Sequence, residues 1–123
     1  MRDRLVGLEL ADREGVTVAT LDGEIDGSNA SELRLAISER LPSSSDGLVL
    51  DICAVTYLDS AGVQLLFELG RRLAARRQAV RLVVSEDAPT RRVLELCDIG
   101  SVAPMDATLA RALEAIEAGD DAA

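Results

Sequence analysis

Histidine, lysine and tryptophan are all absent from the 123-residue sequence, and tyrosine and phenylalanine occur once each. Each gap removes a class of chemistry. Without histidine there is no Ser-His-Asp triad and none of the usual zinc sites; without lysine there is no P-loop and no Schiff base. So small an aromatic content offers no platform on which nucleic-acid bases stack. Positive charge is scarce as well, with 13 arginines against 22 acids and a net charge of −9. A protein that binds nucleic acid or anionic membranes directly shows a basic surface. The one candidate patch, Arg71, Arg72, Arg76, Arg77 and Arg81, reads instead as the solvated face of a helix.

Long apolar runs are missing too. No stretch approaches the roughly 18 apolar residues a membrane span needs, and Met1 is followed by charged residues rather than an apolar leader, so a cytoplasmic protein is expected. Cys53 and Cys97 have no metal-ligand spacing. They are expected as reduced thiols packed like small hydrophobes, with a redox pair as the alternative.

What is present suffices for one folded unit. A hydrophobic content of 48% over this length buries a core without disulfides or a structural metal. The domain is expected over residues 1–118, and Gly119-Asp120-Asp121-Ala122-Ala123 reads as a frayed tail. Residues 5–10 and 16–21 read as an antiparallel hairpin around the polar turn Ala11-Asp12-Arg13-Glu14-Gly15. The acidic, glycine-containing run Asp22-Gly23-Glu24-Ile25-Asp26-Gly27-Ser28 reads as a loop. Asn29 with Glu32 makes a capping-box pattern, and Leu33, Ala36, Ile37 and Leu41 stripe a helix stopped by Pro42.

Strand and helix then alternate. Residues 48–52 form a strand that leads into a helix beginning near Ala61, striped by Val63, Leu66, Phe67, Gly70, Leu73 and Ala74. Residues 80–84 form the next strand, followed by a helix with Pro89 in its first turn and Gly100 at its end. A last short strand is expected over residues 102–104, and Asp106 is expected to cap a closing helix carrying Leu109, Leu113 and Ile116.

This order gives an α/β domain with a mixed sheet of four to five strands. The N-terminal pair is antiparallel, the later strands are parallel, and about four helices lie mainly on one face. The second face of two strands mixes Val49 with Asp51 and Arg81 with Val83, which is too polar for a sheet covered on both sides.

In such sheets the loops at the carboxyl ends of parallel strands form the usual binding edge. Three loops are expected to meet there, carrying Asp26, then Asp59 with Ser60, then Ser85 with Glu86. A hydroxyl beside acids suggests catalysis, yet no histidine or lysine activates it, so no enzyme is expected. A carboxylate cluster can also hold Mg²⁺. Ser60 itself lies at or beside a helix N-cap, which is sufficient reason for a serine. The same position is also suited to a phosphoserine, since the free amides and positive dipole end of a helix hold phosphate.

Gly23-Glu24-Ile25-Asp26, the Leu48-Val49-Leu50-Asp51 strand and Tyr57-Leu58-Asp59-Ser60-Ala61-Gly62, in that order and spacing, resemble the STAS-domain family, specifically bacterial anti-sigma factor antagonists. The resemblance spans about Leu5 to Ile116. It implies a STAS-like fold and phosphorylation of Ser60 by a partner anti-sigma factor that is also a serine kinase. It further implies removal of the phosphate by a PP2C-type phosphatase, and release of a sigma factor when the unmodified form binds the anti-sigma factor. The partner-binding residues it implies are Asp26, Ser28, Asp59, Ser60, Ala61 and Gly62, with Ser85 and Glu86 on the same edge; no cofactor or metal is implied. Two other roles of STAS modules stay open: an unphosphorylated regulatory subunit of another assembly, such as lipid transport, and a nucleotide sensor. At Gly27-Ser28-Asn29 the chain is polar where many relatives continue with a larger apolar residue.

Overall fold

The computed structural model describes residues 6–119. Its first two elements form a hairpin, β1 (Val6–Arg13) antiparallel to β2 (Val16–Ile25), with pairing that runs through Arg13↔Val16. Only Glu14 and Gly15 turn. Both have positive φ, 56° and 93°, as the two-residue turn that matches strand twist requires. The five-residue turn read from the sequence is therefore too long. Ala11, Asp12 and Arg13 are exposed, and an outer strand carries polar residues on its open side without losing its ladder.

β3 (Gly47–Leu58), β4 (Ala79–Val83) and β5 (Met105–Asp106) follow as parallel neighbours, giving the strand order β1-β2-β3-β4-β5. Two strands outrun their sequence signals. β2 continues through Asp22–Ile25, where a loop was expected, and β3 extends six residues past Ile52. These extensions pair with each other through two register shifts, Asp22↔Ala54 to Ile25↔Leu58. The buried Val55 and Leu58 anchor them, while Cys53, Ala54, Thr56 and Tyr57 stay exposed.

Three helices cover one face: α1 (Ala30–Arg40), α2 (Ser60–Ala75) and α3 (Arg91–Leu96). Leu33 and Ile37 from α1, Leu66 and Leu69 from α2, and Leu94 from α3 meet Leu21, Leu50, Ile52 and Leu82 of the sheet in one core. Each fully buried leucine or isoleucine contributes about 1.5–3 kcal/mol. α4 (Leu109–Glu117) sits on the opposite face, where Ala112 packs on Val16, Val18, Val49 and Val83. That single helix explains the mixed character of the second face. Val49 and Val83 lie under α4, while Arg81 is held by Asp106 through N–O contacts of 2.6 and 3.2 Å.

Several local expectations change in the last third. α3 is one short piece, with Pro89 ahead of its N-cap Thr90, and it ends before Asp98, whose φ of 58° breaks the helical path. Gly100 falls in a separate 3-10 turn, Ile99–Ser101. The last strand is Met105–Asp106 rather than residues 102–104, because Pro104 has no N–H to give a ladder. Asp106 is used by Arg81, so Thr108 caps α4, its Oγ1 accepting from the Arg111 N–H at 3.2 Å. Both cysteines are exposed rather than packed. The Cys53 thiol donates weakly to the Val83 carbonyl at 3.7 Å, and partial burial, with the Asp51 carboxylate nearby, pushes its pKa up. Beyond Gly119 the expected tail lies outside the described residues.

Candidate functional site

The edge where β2 and β3 end is organised by Asp59. It is the N-cap of α2, with extended backbone (φ −99°, ψ −170°), and its Oδ1 accepts from the amides of Ala61 at 2.9 Å and Gly62 at 3.1 Å. Its second oxygen accepts from the Gly27 N–H at 3.3 Å. One carboxylate thus ties the start of α2 to the loop after β2.

That loop is closed by its own side chains. Asp26 Oδ1 accepts from the Ser28 hydroxyl at 2.6 Å and the Ser28 amide at 2.9 Å. Those bonds, the hydroxyl's first, hold the Asp26 carboxyl below its ordinary pKa. Asn29 turns back instead of capping α1. Its Oδ1 accepts from the Asp26 amide at 3.0 Å and its Nδ2 donates to the Glu24 carbonyl at 2.9 Å. The capping box with Glu32 does not form, since the Asn29 side chain makes no cap bond to α1.

Gly62 lies buried below this edge. A Cβ there would stand 2.8 Å from Leu58 Cδ2 and 3.1 Å from the Ile25 carbonyl oxygen. Its contribution is to let α2 start directly against the ends of β2 and β3. Ala61 is half-buried and supplies an amide to Asp59.

Ser60, the first residue of α2, is exposed, and its hydroxyl has no hydrogen-bond partner among the described residues. Because Asp59 already occupies the Ala61 and Gly62 amides, the helix start is not the empty anion cradle the sequence suggested. A charge added to Ser60 would stand in solvent beside an existing carboxylate.

Ser85 and Glu86 do not join this group. β4 ends with Val83 opposite Asp51, while β3 runs on to Leu58. From the level of Ser85 the strand continues for on the order of 15 Å. Sequence reasoning also passed over Gly27 and Asn29 as loop clamps and Tyr57 as a half-exposed ring at the end of β3 (50% exposed). Asn29 looked like an ordinary cap, and nothing local marks its bond to Glu24. As a metal site the edge is poor: Asp26 and Asp59 both spend oxygens on N–H donors, and no group of three or more candidate ligands occurs among the described residues.

The family model for the STAS domain matches residues 8–112. The chain belongs to the STAS domain family. It is similar to the anti-sigma-F factor antagonist RsfB of Mycobacterium tuberculosis, 31% identical over 115 residues that cover 93% of this chain and 92% of that one. A crystal structure of an anti-sigma factor antagonist from Mycobacterium paratuberculosis superposes on this STAS domain with a TM-score of 0.81 and 31% identity, covering 91% of this chain and 94% of the other. The Bacillus cell fate determinant SpoIIAA in its phosphorylated form has a TM-score of 0.65 and 25% identity, covering 89% and 99%. No helix among the described residues of the STAS domain is long and apolar enough to cross a membrane.

Proposed function

We propose that this STAS domain is an anti-sigma factor antagonist switched by phosphorylation of Ser60. In its unmodified form it binds an anti-sigma factor with serine kinase activity and so frees a sigma factor; a PP2C-type phosphatase restores it after phosphorylation, all in the cytoplasm. The partner meets the edge built from Asp26, Ser28, Asp59 and Ser60, with Ala61 and Gly62 shaping it; Ser85 and Glu86 serve as an outlying contact. The reading is supported by relatives named for this role and by the occurrence of a phosphorylated form in SpoIIAA.

The observation that carries it is the Ser60 hydroxyl, exposed and unbonded beside a carboxylate fixed in place. Among the described residues no base touches that hydroxyl, so the site is suited to being modified rather than to catalysing. A phosphate brings about −1.5 to −2 charge. Placed next to Asp59, whose carboxylate already takes the Ala61 and Gly62 amides, it opposes any partner that desolvates this edge. A coupling of about 1–3 kcal/mol changes affinity five- to 150-fold without refolding. The test is a calorimetric titration with a candidate anti-sigma factor that has serine kinase activity. Ser60→Ala should bind it like the unmodified protein and take no phosphate, and Ser60→Asp should bind more weakly. Equal affinity of the two variants rejects the switch, and a phosphate mapped elsewhere by mass spectrometry rejects the site.

A further inference from the structure

At the opposite end of the sheet, where the parallel strands begin, β4, α2, the segment before β5 and the last turns of α4 surround an open cleft of about 1520 Å³. That exceeds the roughly 300–1,000 Å³ of small-molecule pockets. The sheet is incomplete there. β5 pairs only with Leu82 and Val83, the Leu82 amide donating to the Pro104 carbonyl at 2.8 Å. One step earlier the ladder needs an N–H from residue 104, which proline lacks. The chain upstream of Pro104 leaves β4 and packs toward α2, where Val102 closes on Gly70. In a parallel ladder both backbone groups of a residue point to the same side, so the N–H and C=O of Val80 face the cleft, and neither has a partner there among the described residues.

Polar and charged side chains line the rest of the cleft. Gln78, only 7% exposed, spends its Nε2 on the carbonyls of Pro42 and Ser45, and its Oε1 is a buried acceptor without a partner. The wall made by α2 and the turn after it is cationic: Arg71, which lies over the Phe67 ring at 5.7 Å, and Arg77 are exposed and have no carboxylate partner among the described residues. The acids bordering the cleft, Glu14, Asp46 and Glu117, belong to the hairpin turn, the approach to β3, and α4. Arg81 is already held by Asp106.

We propose that this cleft receives an extended, acidic segment of a partner protein as an added strand along β4. Its backbone completes the ladder at Val80, and its acidic side chains meet Arg71 and Arg77. Strand addition of this kind draws affinity from main-chain bonds and specificity from alternate side chains. A small anion satisfies the arginines but leaves the Val80 backbone groups unpaired.

The test uses a fluorescein-labelled eight-residue peptide alternating valine and glutamate, with the whole chain as receptor. Saturable binding is expected by anisotropy, with NMR shifts at the Val80 amide and the Gln78 side chain and slowed exchange of the Val80 amide. The Arg71→Glu/Arg77→Glu protein, its fold checked by circular dichroism, should bind at least about tenfold more weakly. Arg71→Gln/Arg77→Gln should fall between, and a peptide N-methylated along its backbone should not bind. No binding at millimolar peptide overturns the proposal. So does undiminished binding to the charge-reversed protein or of the N-methylated peptide, or shifts centred on Ser60.

Discussion

The two ends of the sheet use charge in opposite ways. At the carboxyl end the acids are committed: Asp59 accepts three amide donors, and Asp26 accepts the hydroxyl and amide of Ser28. At the amino end the cations are not committed to carboxylates: Arg71, which lies over the Phe67 ring at 5.7 Å, and Arg77 border a cleft and have no carboxylate partner among the described residues. The difference is instructive about what each end can do. An edge whose polar groups are internally satisfied keeps its shape and leaves one hydroxyl, on Ser60, as its variable part. An edge with unpaired backbone groups and exposed guanidinium groups gains most by acquiring a partner. The first suits a switch operated by one added charge; the second suits a dock.

The largest expected effect separates structural from idle arginines at the amino end. Arg81 and Asp106 are only 12% and 13% exposed at their side chains and are joined at 2.6 Å. Arg81→Ala strands a part-buried carboxylate, at a cost of about 3 kcal/mol. Arg71→Ala and Arg77→Ala should stay within about 0.5 kcal/mol, as exposed substitutions do. Urea unfolding checks all three, and a comparable loss at Arg71 would mean that the cleft arginines are structural after all.

At the carboxyl end the next effect comes from close packing. Gly62→Val places new atoms where a Cβ alone meets Leu58 at 2.8 Å and the Ile25 carbonyl at 3.1 Å. Overpacking of this kind costs about 2 kcal/mol. Gly100→Ala, with nothing within 4 Å of the added carbon, serves as the contrast and should leave stability within about 0.5 kcal/mol. A melting temperature unchanged in Gly62→Val would show that α2 does not need its close approach.

These contrasts also show where the sequence is informative. A helix start at Asp59-Ser60 was legible because a strand running into an apolar-striped helix demands a cap, although the acid rather than the serine fills that role. The α/β order, the hairpin and the one-sided helices followed from the same short-range patterns. The length of β3 did not, because Cys53, Ala54, Thr56 and Tyr57 are exposed and pair only with β2, a tertiary fact with no local signature. Missing that extension led to Ser85 and Glu86 being gathered beside Ser60. Asn29 was misread for a related reason: its preference for N-caps is local, whereas the bond it makes reaches back to Glu24.

Asp59 offers a sharper dissection of the carboxyl end. Asp59→Ala removes the cap of α2 and the tie to Gly27 together, for about 1–2 kcal/mol. Asp59→Asn keeps one oxygen for the Ala61 and Gly62 amides but presents an NH₂ group to the Gly27 N–H. It should cost less than the alanine variant while loosening the Asp26 loop. Hydrogen exchange at Ala61 and at Gly27 distinguishes the two: protection kept at the first and lost at the second is expected. Loss at both would mean that cap and tie cannot be separated.

The smallest effect tests how firmly the Asp26 loop is closed. The Ser28 hydroxyl and then the Ser28 amide lower the Asp26 pKa from its ordinary 3.8. A carboxyl with a depressed folded value favours the closed loop above the ordinary pKa and loses that preference as pH falls through the lowered one. The loop should therefore stay closed at pH 4 and open only in more acidic solution, with the Ser28 amide resonance reporting the change. Ser28→Ala deletes the 2.6 Å bond and keeps the amide bond, so the Asp26 titration should move up toward 3.8 without reaching it. If the titration does not move, the hydroxyl is not what holds the carboxylate, and Ser28 is left free to meet a partner directly.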